Sequence, residues 1–419
     1  MGSDTEDEDS PAYQARRRRD RVHWELMDLI AEHDDRWHSF NIDTFHEAVH
    51  ESVDYIFSVS EDVDPPPFQR LKCATIDMSH YGAPTVYETV MQHAPNLSTL
   101  TLKYEYSDEF PEVLPQMAKI RHLILEAGTS TTPWADLMRS CPHLRSFVYR
   151  GDKGHGSLLG SCNHALYQKP NQPEPTVECK ELESISIDLA CLDFHGKPNY
   201  DLLSSFFTAV KAPSLQSLTM YAEDPHFDIS IFTWPRGIIT SFVSAVRPSR
   251  LRTLSIKDLP VDVSDLLALL ELTPFLEELT VAEHRSKSPY HLTTFPHRDH
   301  TDQFHQTITK SFLNRLRVSP DGSSSRIFLP GLRFLKFSVH ERHFDGGHDF
   351  VEMVRSRSSI PVGFDVAPLR RVELSLCMHN WKDELLNGVY EPLKALERER
   401  GMQISVLLLT FLGTAMRIV

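Results

Sequence analysis

Nine times between residues 97 and 374 the chain repeats one short pattern: an apolar residue, two variable positions, a second apolar residue, one variable position and a third apolar residue. The copies are LSTLTL at 97, IRHLIL at 120, LRSFVY at 144, LESISI at 182, LQSLTM at 215, LRTLSI at 251, LEELTV at 276, LRFLKF at 332 and LRRVEL at 369. The pattern alone is weak, because in a chain with 41% apolar residues accident supplies about 29 such matches. Proline makes it strong. Pro95, Pro142, Pro213, Pro274 and Pro330 each stand two residues before a copy. A proline cannot continue a helix and drives its predecessor into extended backbone, so it marks a helix ending and a strand beginning.

The segments ahead of four of these prolines carry helical apolar spacing, at 85–94, 134–141, 202–212 and 264–272, the last with Ser264 as its expected N-cap. The expected unit is therefore strand, loop, helix, proline, strand. Copies begin 23 to 56 residues apart, with an irregular insertion expected near 284–331. The heptapeptide RWHSFNI at 36–42 repeats the same three-then-two spacing through Trp37, Phe40 and Ile42, and reads as the first rung.

Strand and helical return together resemble leucine-rich repeats. The A-P-x-L entries and uneven lengths resemble the divergent repeats of fungal F-box/leucine-rich-repeat proteins, over roughly residues 20–419. That resemblance implies an α/β fold: a curved leucine-rich-repeat-like solenoid with a parallel concave sheet and outer helices. It also implies a substrate receptor of a Skp–cullin–F-box type ubiquitin ligase, with a Skp-type adaptor as one partner and a target protein on the repeat face. The family's F-box is not evident upstream of residue 20, so a free-standing interaction scaffold without a ligase role stands beside that expectation.

Composition narrows the partners. A formal charge of −15, from 43 Lys and Arg against 58 Asp and Glu, repels phosphate backbones and anionic lipid, so neither nucleic acid nor membrane is an expected partner. Residues 1–20 divide into an acidic block, Asp4 to Asp9, and a basic one, Arg16 to Arg19, and read as a disordered charged tail ahead of a solenoid over 21–419. The helical stretch 20–33 is the expected N-terminal cap, and ISVLLLTFLG at 404–413 the expected closing strand. The opening MGSDTEDEDS has no apolar stretch, which points to the cytoplasm or nucleus. No two of the six cysteines, at 73, 141, 162, 179, 191 and 377, form a CxxC pair, and buried reduced thiols are expected.

Strand side chains alternate, so the first, fourth and sixth positions of each copy face the core and the third, fifth and seventh face away. The predicted outward set is Thr99, Thr101 and Lys103; His122, Ile124 and Glu126; Ser146, Val148 and Arg150; Ser184, Ser186 and Asp188; Ser217, Thr219 and Tyr221; Thr253, Ser255 and Lys257. The long residues Lys103, Glu126, Arg150, Asp188, Tyr221 and Lys257 are the candidate partner-binding positions on the concave face. Catalytic signals are poor. PHRDHTDQFH at 296–305 suggests a metal-dependent hydrolase, but His300 and His305 are five apart, not the four that brings two imidazoles onto one helical face. That segment reads better as a polar loop entering a helix at 303–316. GDKGHGSLLG at 151–160 fits neither a phosphate loop nor a nucleophile elbow. The expectation is a non-enzymatic recognition module with no cofactor and no metal.

Overall fold

The computed structural model describes residues 37–42, 68–78, 83–104, 117–127, 134–151, 175–189, 200–222, 234–247, 250–283, 306–318, 327–340, 344, 347–360, 364–378, 386–410 and 415–418. The chain is α/β and divides into two compact units, Met1–Leu144 and Arg145–Val419. The tail at 1–20, the helical stretch 20–33, the cluster 296–305, the glycine-rich loop beyond 151, Cys162 and Cys191 all lie outside the described residues.

In the first unit, β1 (Ser39–Ile42), β2 (Cys73–Asp77), β3 (Thr99–Tyr104) and β4 (His122–Ala127) pair in chain order, all parallel. Helix α1 (Ala83–His93) returns the chain from β2 to β3, a 3-10 turn (Met117–Lys119) precedes β4, and α2 (Trp134–Ser140) follows it. The stretch RWHSFNI is indeed a rung. Phe40 lies opposite Ala74 in the ladder, and Trp37 stacks on Phe40 at 5.7 Å and against Phe68 at 5.3 Å.

The second unit holds β5 (Ser146–Gly151), a side strand β6 (Val177–Glu178), β7 (Ser184–Asp188), a side strand β8 (Val210–Lys211) and β9 (Ser217–Tyr221). Next come β10 (Thr253–Lys257), β11 (Glu278–Ala282), β12 (Phe334–His340), β13 (Arg371–Met378), β14 (Gln403–Thr410) and β15 (Ala415–Ile418). Strands β5, β7 and β9 to β14 pair parallel in chain order, and β15 turns back antiparallel on β14. The helices among the described residues of this unit are α3 (Tyr200–Ala209), α4 (Arg236–Ala245), α5 (Val263–Glu271), α6 (Lys310–Leu316), α7 (Gly347–Ser358) and α8 (Glu391–Arg400), the last entered through a π-helical turn (Leu386–Tyr390).

All nine sequence copies carry a strand, and each strand starts at the third position of its copy. The first, fourth and sixth positions are buried in every one, with no side chain among them more than 3% exposed. This is the main apolar store of the fold, and each fully buried Leu, Ile or Phe contributes about 1.5–3 kcal/mol. Helices add their own stripes, such as Leu266, Leu269 and Leu270 of α5, and rings that join neighbouring layers: Phe147, Phe206, Phe207 and Phe242 follow one another at 5.0–5.4 Å between centroids.

The prolines have a sharper role than helix-stopping. Leu97 donates its N–H to the Ala94 carbonyl, and the same three-residue closure joins Leu144 to Cys141, Leu215 to Ala212, Leu276 to Thr273 and Leu332 to Leu329, at 3.1–3.2 Å. Each is a β-turn with proline at its second position, where a fixed φ near −65° is already correct. The first turn position is buried in each, which explains Cys141, and Cys179 holds the equivalent place before Leu182. Burial pushes the Cys179 thiol up to about 11, so it stays protonated. Cys73 departs from expectation: it is a free thiol but exposed, because it sits at a third, outward position.

A second device sets the register. The carbonyl of the second position in one copy accepts two N–H groups from the next: Ser98 from Arg121 and His122, Gln216 from Arg252 and Thr253, Glu277 from Arg333 and Phe334, each bond 2.8–3.0 Å. A carbonyl has two lone pairs, so this saturates it.

Three polar side chains, two of them buried, tie successive repeats. Arg357 of α7 is fully buried and donates to the carbonyls of Leu316 (2.5 Å), Leu329 (3.0 Å) and Phe328, closing the C-terminal end of α6 and the turn before β12. Leu329 has φ +48°, a conformation that favours glycine, and the guanidinium clamps it there. Burial lowers the Arg357 pKa to about 10, which leaves it charged at neutral pH. In the first unit, Lys119 donates to the carbonyls of Met91 and Ala94 (2.7 Å) at the end of α1. The Glu283 carboxylate accepts the N–H groups of Thr307 (3.1 Å) and Ile308 (2.8 Å), fixing where the chain re-enters after the long insertion.

The N-cap of α5 and the extent of α6 differ from expectation. Helix α5 begins at Val263 with Asp262 as its N-cap, so Ser264 is inside the first turn. Of the helix expected over 303–316, residues 306–309 are not helical and α6 covers Lys310–Leu316, capped by the Thr309 hydroxyl accepting from the Phe312 N–H at 3.3 Å.

Candidate functional site

The strand face turned away from the apolar core is built row by row from the ladder register. In the first unit, Asp77, Lys103 and Glu126 are lateral neighbours on β2, β3 and β4. Adjacent strands lie about 4.8 Å apart, so the lysine stands in register between two acidic residues. Lys103 and Glu126 are half-buried, and Asp77 is buried.

In the second unit, β7, β9 and β10 carry two rows of short hydroxyl side chains: Ser184, Ser217 and Thr253, then Ser186, Thr219 and Ser255. Thr280 of β11 continues the second row. The next row holds Asp188, Tyr221 and Lys257. The result is a low floor beside a ridge of long side chains. Arg150 and Lys257 are exposed and Tyr221 is half-buried, as their positions require.

Two predicted outward residues are buried instead. Asp188 is only 4% exposed. Tyr221 explains it: the phenol hydroxyl reaches the Tyr149 carbonyl on β5 at 3.5 Å, so the ring spans the intervening strand that carries Asp188. Asp188 thus supports the ridge from below and presents no carboxylate at the surface. Ser255 is buried among its threonine neighbours, and its hydroxyl makes no hydrogen bond among the described residues.

Sequence reasoning stopped this face at Lys257, yet the same alternation applied to LRFLKF and LRRVEL finds its most charged part. There Phe334 lies opposite Arg371, and Lys336 opposite Glu373. The Glu373 carboxylate pairs with Arg371 and, at 2.8 Å, with Lys336, while the Arg371 guanidinium lies over the Phe334 ring at 5.2 Å. Desolvation by burial pushes the Glu373 carboxyl up, but the hydrogen bonds and charges of Lys336 and Arg371 outweigh it and hold the group below the usual carboxylate range.

No group of three or more His, Cys, Asp or Glu side chains is placed to hold a metal ion among the described residues. No helix among them is long and apolar enough to cross a membrane. The search among known protein families finds no match for this chain, and the search among curated proteins finds none either.

Proposed function

We propose that this chain is a non-enzymatic protein-recognition module, a curved leucine-rich-repeat-like solenoid of the cytoplasm or nucleus whose sheet face binds a protein partner. The observation that carries the reading is the hydroxyl floor of β7, β9 and β10 beside the Tyr221–Lys257 ridge. Short side chains on a parallel ladder let another chain approach the sheet closely, while the ridge supplies the aromatic and charged anchors that dominate such contacts. The parallel register keeps these groups in fixed rows, so little order has to be imposed on binding. Its resemblance to F-box/leucine-rich-repeat proteins supports a role as substrate receptor of a Skp–cullin–F-box type ligase; a scaffold without that role uses the same face.

The test is affinity capture by the full chain and by a Thr219→Arg variant, which raises a long cation from the floor. A partner held by the wild type and lost by the variant, with unchanged thermal melting of the two proteins, supports recognition through this face. A Skp-type adaptor recovered equally with both supports the ligase role. Identical partner sets with no Skp-type adaptor overturn both.

A further inference from the structure

The face at β12 and β13 differs chemically from the hydroxyl floor. Arg333 and Arg370 stand at the entrances of these strands, joined by the Arg370 N–H to the Arg333 carbonyl at 2.8 Å. Both side chains are exposed and meet no partner among the described residues. Arg371 is exposed beside them, and Lys336 lies one row further along. The single carboxylate in this group, Glu373, is 8% exposed and already shared by Lys336 and Arg371. Four cations therefore stand on two adjacent rungs with one occupied carboxylate, a local excess of positive charge in a chain whose net charge is −15.

The borders of the patch are equally defined. On the β11 side, Glu277 is engaged by Arg252 at 2.6 Å, and Glu278 lies beside Phe334 in register. On the β14 side, the register partners of Arg371 and Glu373 are Gln403 and Ser405, which carry no charge. The cations thus form a strip about two strands, or about 10 Å, wide, with the half-buried Phe334 ring as its apolar floor.

We propose that this strip is the docking site for an acidic protein segment, an extended stretch rich in Asp and Glu. The proposal rests on reading the sheet face as a recognition surface and assigns its partner class. Free guanidinium forks at Arg333 and Arg370 match carboxylates two hydrogen bonds at a time. Phe334 and the Arg371 stacked on it give the contact an apolar anchor. A nucleic acid fits less well: a strip this short meets few phosphates, and the surrounding negative field repels the rest of the polyanion.

The experiment measures fluorescence polarisation of labelled probes with the full chain: a short peptide of Glu, Asp and Gly, its Gln, Asn and Gly counterpart, and a short oligothymidylate. The acidic peptide is expected to bind at low salt and to weaken as salt is added. Arg333→Glu with Arg370→Glu weakens it about tenfold or more, and Arg333→Gln with Arg370→Gln weakens it less. Arg398→Glu with Arg400→Glu, the same charge change on α8, leaves it unchanged. Melting curves confirm that the variants fold, as the replaced side chains are exposed. Equal acidic-peptide binding by the wild type and the Arg333→Glu, Arg370→Glu protein overturns the assignment, as does no binding at low salt. Equally tight binding of the neutral peptide, or tighter variant-sensitive binding of oligothymidylate, also overturns it. If any of these occurs while Thr219→Arg still abolishes partner capture, recognition through the face stands and only the acidic-segment assignment falls.

Discussion

Helix α1 in the first unit and helix α6 in the second end in the same difficulty, since the last carbonyls of a helix have no partner within it. Each is closed by a cation from the following repeat, but the cations differ. Lys119 is half-buried and serves two carbonyls of one helix end. Arg357 is fully buried and serves three, one from α6 and two from a turn with a left-handed leucine. A flexible ammonium suffices where water can still reach the site. Where carbonyls converge from two directions in a dry interior, only a planar fork with several donors satisfies them together. The same topological job has thus drawn different residues according to how deeply it is buried.

The largest expected break in this comparison comes from Arg357→Met. It strips the guanidinium donors from three buried carbonyls, of which Leu329 keeps the Leu332 N–H, and should lower stability by about 3 kcal/mol or more, read as a lower urea midpoint by circular dichroism. Arg357→Lys should recover only part of that loss, because one ammonium cannot span the three acceptors; full recovery would dissolve the distinction. Lys119→Met should cost about 1 kcal/mol, since its carbonyls remain partly accessible to water. A loss equal to that of Arg357→Met would mean depth of burial is not what separates the two ties.

A third cation pair, Lys336 and Arg371 on Glu373, sharpens the comparison because its acceptor titrates. The folded carboxyl is held low, so its stabilisation is present above the unfolded pKa of about 4.3 and is lost as pH falls through the folded value. Urea midpoints of wild type and Glu373→Gln should therefore differ near neutrality and converge on acidification. Carbonyl acceptors have no such limb, so Arg357→Met should keep its deficit across the same range. Smaller still, Pro213→Ala should cost about 0.5–1 kcal/mol by loosening the unfolded chain. Ser255→Ala removes a buried hydroxyl with no partner and should leave stability unchanged or raise it by up to about 1 kcal/mol.

The strand ladder was legible because its information is local. Three apolar positions identify a rung, a preceding proline marks five of the nine, and all nine rungs stand where the apolar pattern places them. The ties between repeats were not legible, because Arg357 and Lys119 look like ordinary exposed cations until the next repeat brings carbonyls to them. Glu283 is likewise one acidic residue among many until its carboxylate meets the returning chain at Thr307. On the face, alternation assigned the side correctly but not the depth. Asp188 is covered by Tyr221, a long-range event that no strand pattern encodes. The Phe334, Lys336, Arg371 and Glu373 group was within reach of the same alternation and needed only its extension past Lys257.

The doubly accepting carbonyl has a consequence for how such a molecule can change over generations. Copies begin as little as 23 and as much as 56 residues apart, yet the carbonyl of Glu277 receives Arg333 and Phe334 across the longest gap just as Ser98 receives Arg121 and His122 across the shortest. Spacer length and rung alignment are therefore independent variables. Insertions and deletions between rungs are free to accumulate without displacing a single side chain in the rows above them, so connecting segments can diversify while the displayed surface keeps its layout.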